Sequence, residues 1–223
     1  MDESGKMREM MQGAMRREQE DKLAHFRVLN RLARKGETVF TGSSLMEQFP
    51  INELQMTDGI SRVIYNRGIG GFTTTDMLAH MDEMMFDLEP ARIFINIGTN
   101  DIAQPDYSLP VLLEHYAEIL REIQKRLPET EITLLAYYPV NAELNRPDMP
   151  GGPDMFQTRN NKNIAEANAA LEKLAARMGC RFLNVNQGLT DEKGNLKAEY
   201  TVEGVHMYAS GYQVVLNNLK PYL

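Results

Sequence analysis

An α/β fold built on a parallel sheet is the class this sequence predicts. Short apolar strands alternate with amphipathic helices. Two of the strands are nearly continuous apolar runs. Glycine or proline follows the strand ends. Ile93-Phe-Ile-Asn-Ile97 and Ile132-Thr-Leu-Leu-Ala-Tyr-Tyr138 are those runs, as expected of strands covered on both faces. Thr38-Val-Phe-Thr41, Arg62-Val-Ile-Tyr-Asn66 and Arg181-Phe-Leu-Asn-Val185 complete a set of five. Between them, Leu113, Tyr116, Leu120, Ile123 and Leu127 step by three and four. So do Ile164, Ala167, Leu171, Leu174 and Met178, and then Tyr208, Tyr212, Val215, Leu219 and Tyr222. Such alternation implies helices on both sides of the sheet. Gly98 and Pro139 end strands where loops begin.

Parallel sheets bind ligands beyond the C-terminal ends of their strands. Ser44, Gly71, Asn100 and the loop after Pro139 all follow strand ends, so topology alone gathers them on one edge. Residues 1–36 are set apart from the domain at 37–223. Met7, Met10, Met11, Ala14 and Met15 precede a charged run, and Leu23, Phe26, Leu29 and Ala33 resume helical spacing. This reads as an N-terminal helix packed on the domain. A lid or a homodimerisation arm is the alternative, because methionine faces adapt to varied partners.

Composition limits the function classes. The chain has 223 residues, 43% hydrophobic, with a net charge of −7. That charge argues against nucleic acid as a partner. The single cysteine, Cys180, excludes an intrachain disulfide and reads as an inert buried thiol. There is no run of 18 apolar residues and no apolar core of a signal peptide at the start. The expectation is a cytoplasmic protein without stable membrane insertion. No His/Cys/Asp cluster has metal-ligand spacing, so neither a metal nor another cofactor is expected. The segment Asn145–Asp154 is a Pro/Gly loop.

Four short segments carry chemistry. A serine hydroxyl needs a neighbouring base. Of the four histidines, His25 and His115 lie in helical patterns and His80 in an acidic, solvated stretch. His206 alone follows a glycine-containing turn, with Glu203 three residues before it as an orienter. Ser44 lies beside glycine after the first strand, where it could equally serve as an N-cap. Gly68-Ile-Gly-Gly71 does not satisfy the dinucleotide fingerprint, since Thr73 occupies the last glycine's position, and no phosphate-loop lysine follows. Gly71 instead lets a backbone N–H approach a ligand closely. Asn100 is either a turn residue or a side-chain donor to an oxyanion.

These residues, in this order, resemble the SGNH hydrolase superfamily of GDSL esterases and lipases, and within it the platelet-activating-factor acetylhydrolase-like branch. The resemblance runs from about Thr38 to the C-terminus. It rests on Val39-Phe-Thr-Gly-Ser-Ser44, Asn66-Arg-Gly-Ile-Gly-Gly71, Gly98-Thr-Asn-Asp101 and Glu203-Gly-Val-His206. It implies a three-layer α/β/α sandwich with a flavodoxin-like five-stranded parallel sheet. It implies Ser44 as nucleophile, His206 as base, Glu203 as the triad acid, and Ser44 N–H, Gly71 N–H and the Asn100 amide as the oxyanion hole. The implied activity is hydrolysis of small-molecule esters, and an open site at the sheet edge with no large lid favours short acyl groups, acetyl among them. The alternatives are acyl transfer or thioester hydrolysis at the same site, or a binding module that keeps the fold. Three positions depart from the family pattern: Ser43 replaces the Asp of Gly-Asp-Ser, Phe72 follows the glycine, and Glu203 replaces an Asp.

Overall fold

In a computed structural model, which describes residues 3–144 and 155–223, the chain folds as the alternation predicts. The strands are β1 (Thr38–Gly42), β2 (Ile64–Gly68), β3 (Arg92–Asn96), β4 (Glu131–Leu135) and β5 (Arg181–Leu183). They form one parallel sheet in the order β2-β1-β3-β4-β5. The helices are α1 (Glu3–Leu32), α2 (Ser44–Glu47), α3 (Ile51–Thr57), α4 (Thr74–Ala79), α5 (Met81–Met84), α6 (Thr99–Ile102), α7 (Leu109–Arg126), α8 (Asn161–Arg177) and α9 (Ala209–Leu219). The chain leaves β1 toward one side to make β2, then returns past it to make β3, β4 and β5. Right-handed crossovers therefore put α3 on one face and α4, α7 and α8 on the other. The contacts agree: α4 packs on α7 and α7 on α8, while α3 meets α9.

The strand boundaries differ slightly from the expected ones. β2 begins two residues later than Arg62, and β4 ends at Leu135 although Ala136, Tyr137 and Tyr138 remain buried. The helical faces are the predicted ones over their middles. Tyr116, Leu120 and Ile123 of α7 and Ile164, Ala167, Leu171 and Leu174 of α8 are buried. In α9 the pattern overreached at both ends. Tyr208 is the N-cap and Tyr222 lies in a terminal 3-10 turn, and both are exposed. Cys180 is only half-buried, because it sits in the turn between α8 and β5 rather than within the sheet. His80 is also half-buried, with its ring 5.7 Å from that of Phe72. The Pro/Gly loop Asn145–Asp154 lies outside the described residues. No helix among the described residues is long and apolar enough to cross a membrane.

Helix α1 packs beside α5 and reaches β2 through side chains. Leu23 is buried in the core. Arg67 of β2 donates to Asn30 Oδ1 at 2.9 Å and lies 4.9 Å from the centre of the Phe26 ring. Burial lowers the pKa of the Arg67 guanidinium, but that group remains a cation held by a neutral amide and an aromatic face. Farther toward the N-terminus, Met7, Met10 and Met11 are exposed.

One close approach positions α2. A Cβ at Gly68 would lie 2.2 Å from Glu47 N and 2.7 Å from Glu47 Cα, so only glycine lets β2 end against the helix that begins with Ser44. The opposing atoms are backbone and cannot swing aside. Gly68→Ala should therefore destabilise the fold by roughly 3 kcal/mol, on the order of 10 °C in Tm. Thermal unfolding followed by circular dichroism checks this, and a wild-type Tm would show that α2 is not held by that approach.

Candidate active site

The C-terminal edge of the sheet carries a cleft of about 760 Å³ lined by Ser44, Gly71, Asn100, Glu203 and His206. All five sequence-derived candidates thus meet in one place. β1 delivers Ser44. Gly42 ends the strand, Ser43 N–H donates to Asn96 O at 3.2 Å, and Ser43 rather than Ser44 is the N-cap of α2. The N-cap reading of Ser44 is corrected accordingly. Its hydroxyl is left for the cleft, where Oγ lies 2.8 Å from His206 Nε2. The helix is held from below by Tyr212 of α9, whose hydroxyl donates to Leu45 O at 2.8 Å.

His206 is fixed by its own loop. Val202 N–H donates to His206 O, as does the Thr201 hydroxyl, so residues 201–206 close into a tight turn. Gly204 has φ 98°, and a Cβ there would lie 2.2 Å from Asn141 O. The turn brings Glu203 Oε1 to 3.0 Å from His206 N and 2.5 Å from His206 Nδ1. The extra methylene of glutamate is thus accommodated. A carboxylate against Nδ1 keeps the proton there and leaves Nε2 as the acceptor facing Ser44. Burial pushes the Glu203 carboxyl up. The hydrogen bonds and charge of His206, together with the Arg159 guanidinium, outweigh burial and leave it below its ordinary value.

Two polar donors face Ser44 from across the cleft. Gly71 has φ 77°, and among the described residues neither its N–H nor that of Ser44 is paired with a backbone carbonyl. Asn100 lies in α6, where Nδ2 donates to Phe72 O at 2.9 Å and Oδ1 accepts from Arg159 at 3.0 Å. Asp101 ties the two donor segments together. It accepts from Thr74 N–H at 3.0 Å and from the Thr74 hydroxyl at 2.5 Å, which clamps α6 to the start of α4 just beyond Gly71. The Asp101 carboxyl is raised above its ordinary value by burial, which the Thr74 bonds only partly offset. His115, half-buried on α7, backs the same hydroxyl at 3.1 Å.

The residues that sequence reasoning did not single out are Gln19, Lys22, Glu47 and Arg159. Gln19 of α1 donates to Gly70 O at 2.7 Å. Glu47 accepts from Gly70 N–H at 2.6 Å and pairs with Lys22 of α1 at 2.5 Å. The tip of the Met15 side chain lies over Gly71, where a Cβ would come within 1.7 Å of it. The N-terminal helix is therefore a wall of the cleft. The charged run of α1 held that information only as composition, since nothing in it names Gly70 as the partner.

Gly70 is held through both of its backbone groups, its carbonyl by Gln19 and its N–H by the Glu47 of the Lys22–Glu47 pair. Glu47→Gln should keep a weaker acceptor for Gly70 N–H and lose the ion pair, a change of about 1 kcal/mol at this partly exposed position. The expected result is a several-fold fall in kcat/KM for a short-chain ester with Tm nearly unchanged. Unaltered kinetics would show that the glycine loop holds its shape without the Lys22–Glu47 pair.

Comparison with known proteins agrees with this geometry. The model of the GDSL-like Lipase/Acylhydrolase family matches residues 52–214, a range that holds Gly71, Asn100, Glu203 and His206 and begins after Ser44. A solved structure from Streptococcus pneumonia, provisionally named a platelet activating factor, is 32% identical, covers 98% of each chain and superposes with a TM-score of 0.85. A GDSL-like lipase from Bacteroides thetaiotaomicron, 23% identical with a TM-score of 0.73 over 89% of this chain and 95% of that one, shares the fold. The N-acylneuraminate cytidylyltransferase of Escherichia coli is 24% identical over 179 residues, which are 80% of this chain but 38% of that protein. The chain belongs to the GDSL-like lipase/acylhydrolase family.

Proposed function

We propose that the protein hydrolyses short-chain acyl esters, acetyl esters included, through a Ser44–His206–Glu203 triad and an acyl-enzyme intermediate. The observation that carries this reading is the continuous chain of bonds, 2.8 Å from Ser44 Oγ to His206 Nε2 and 2.5 Å from His206 Nδ1 to Glu203 Oε1. Ser44 Oγ attacks the ester carbonyl as Nε2 takes its proton. The Glu203 carboxylate stabilises the imidazolium that forms. The carbonyl oxygen becomes an oxyanion in reach of Ser44 N–H, Gly71 N–H and Asn100 Nδ2, donors already in place before charge develops. His206 returns the proton to the leaving alcohol. It then deprotonates a water that attacks the acyl-enzyme carbonyl, and Ser44 leaves with the proton.

Short acyl groups fit the cleft because Met15 of α1 closes over Gly71, beside the point where the carbonyl must sit. Phe72, the departure next to that glycine, is buried in the core and turned away from the cleft. Ser43 is likewise buried, so its hydroxyl does not compete with that of Ser44.

A fluorophosphonate probe tests the nucleophile. Wild-type protein should label at Ser44, and Ser44→Ala should lose both the label and p-nitrophenyl acetate hydrolysis with its Tm preserved. Label on Ser43, or hydrolysis that survives Ser44→Ala, would overturn the assignment.

Glu203, held below its ordinary pKa, stays ionised across the neutral range and so keeps its charge beside the imidazole. Glu203→Gln removes the charge that favours the imidazolium. It should lower kcat on the order of 10²-fold or more. Glu203→Asp should retain partial activity. An unchanged kcat in Glu203→Gln would mean that another group orients His206.

A further inference from the structure

Asn100 has a carboxamide that could face either way. Turned one way it offers an N–H to an oxyanion; turned the other it offers an oxygen that would repel one. Arg159 and the Phe72 carbonyl decide between them. A guanidinium only donates, so the Asn100 atom 3.0 Å from it must be the oxygen. The same guanidinium donates through Nε to Thr99 O at 3.1 Å, which fixes its plane against α6. With Oδ1 taken, Nδ2 points the other way. One of its hydrogens goes to Phe72 O at 2.9 Å, and the second is left toward the cleft that Ser44 and Gly71 also line. Arg159 is 8% exposed, so this charge acts through a medium of low polarity. Burial pushes its guanidinium down to about 10, which still leaves it charged at neutral pH, and the Glu203 carboxylate is the anion that favours this charge.

We propose that Arg159 is a positioning residue of the oxyanion site, which locks the Asn100 carboxamide with Nδ2 toward the reacting carbonyl and polarises that N–H. This rests on the esterase reading of the same cleft. A charged donor on a carboxamide oxygen draws electron density from the amide nitrogen and makes the opposite N–H a stronger donor. The benefit falls on the transition state, because only there does the carbonyl oxygen carry a full negative charge. Arg159 also links the two halves of the site. It stands between Asn100, which meets the oxyanion, and Glu203, which steadies the imidazolium.

A double-mutant cycle between Arg159 and Asn100 tests this. Asn100→Ala should lower kcat by about 10²–10³-fold, as the loss of one oxyanion donor does. Arg159→Ala should lower kcat by roughly 10–10²-fold with KM changed less than about threefold, because the residue acts through Asn100. In the Asn100→Ala background, Arg159→Ala should add less than about a threefold further loss. Full additivity, or a loss confined to KM, would overturn the proposal in favour of a direct substrate contact. Arg159→Lys keeps the charge near Glu203 but not the two-point grip on Thr99 and Asn100, and kcat should still fall about tenfold. Wild-type kcat in that variant would overturn the proposal as well. Should Arg159→Ala fail to fold, Arg159→Lys carries the same cycle. Fluorophosphonate labelling of the wild type separates the two levels. Label away from Ser44 removes the esterase reading itself, whereas label at Ser44 with an additive cycle removes only the role of Arg159.

Discussion

The buried carboxylate of Glu203 is the constraint on which the rest of the site depends. A carboxylate out of contact with water is tolerated only with donors and positive charge around it. His206 supplies two N–H donors, and the Arg159 guanidinium supplies charge. Each of those partners is thereby committed. The imidazole can present only Nε2 to Ser44. The guanidinium, whose charge lies near Glu203, donates to Thr99 O and to Asn100 Oδ1. From Asn100 the bonds continue to Phe72 O, and from Asp101 to the first turn of α4. One buried charge thus sets the orientation of groups contributed by four separate loops.

The opposite wall depends on neutral packing and a pair of surface-facing charges. Glycines at 68 and 71 let backbone approach backbone and let the Met15 side chain lie over the loop. Gln19 and Glu47 then take the two polar groups of Gly70. Helix α1 does this while its C-terminal half is anchored by Leu23, Phe26 and Asn30. The helix has its firm packing at one end and its contacts with the cleft nearer the other. Any contribution from α1 to substrate choice is therefore coupled to how well that anchored half holds to β2.

The three departures from the family pattern turn out to be absorbed in different ways. Ser43 is buried at the N-cap of α2, and Phe72 is buried beside His80, so both act on packing behind the site. Glu203 is the departure that reaches the chemistry. The tight turn at 201–206 sets back its carboxylate enough for Oε1 to accept both the backbone and ring N–H of the same histidine.

By itself the sequence determined the sheet, the helices that flank it, and the edge where Ser44, Gly71 and Asn100 gather. These follow from local rules. Apolar runs and three-four spacing depend on neighbours along the chain, and parallel topology puts strand ends together whatever the side chains are. The ends of elements were less legible, as Tyr208 and Tyr222 show, because an amphipathic pattern continues past the point where the helix does. Tertiary structure alone decided that Arg159 would orient an amide 59 residues away, and that Gln19 would grip a carbonyl 51 residues away. Neither residue carries a spacing that marks it. An arginine before a helix and a glutamine in a charged run look like solvated surface until the fold shows which buried acceptor each one meets.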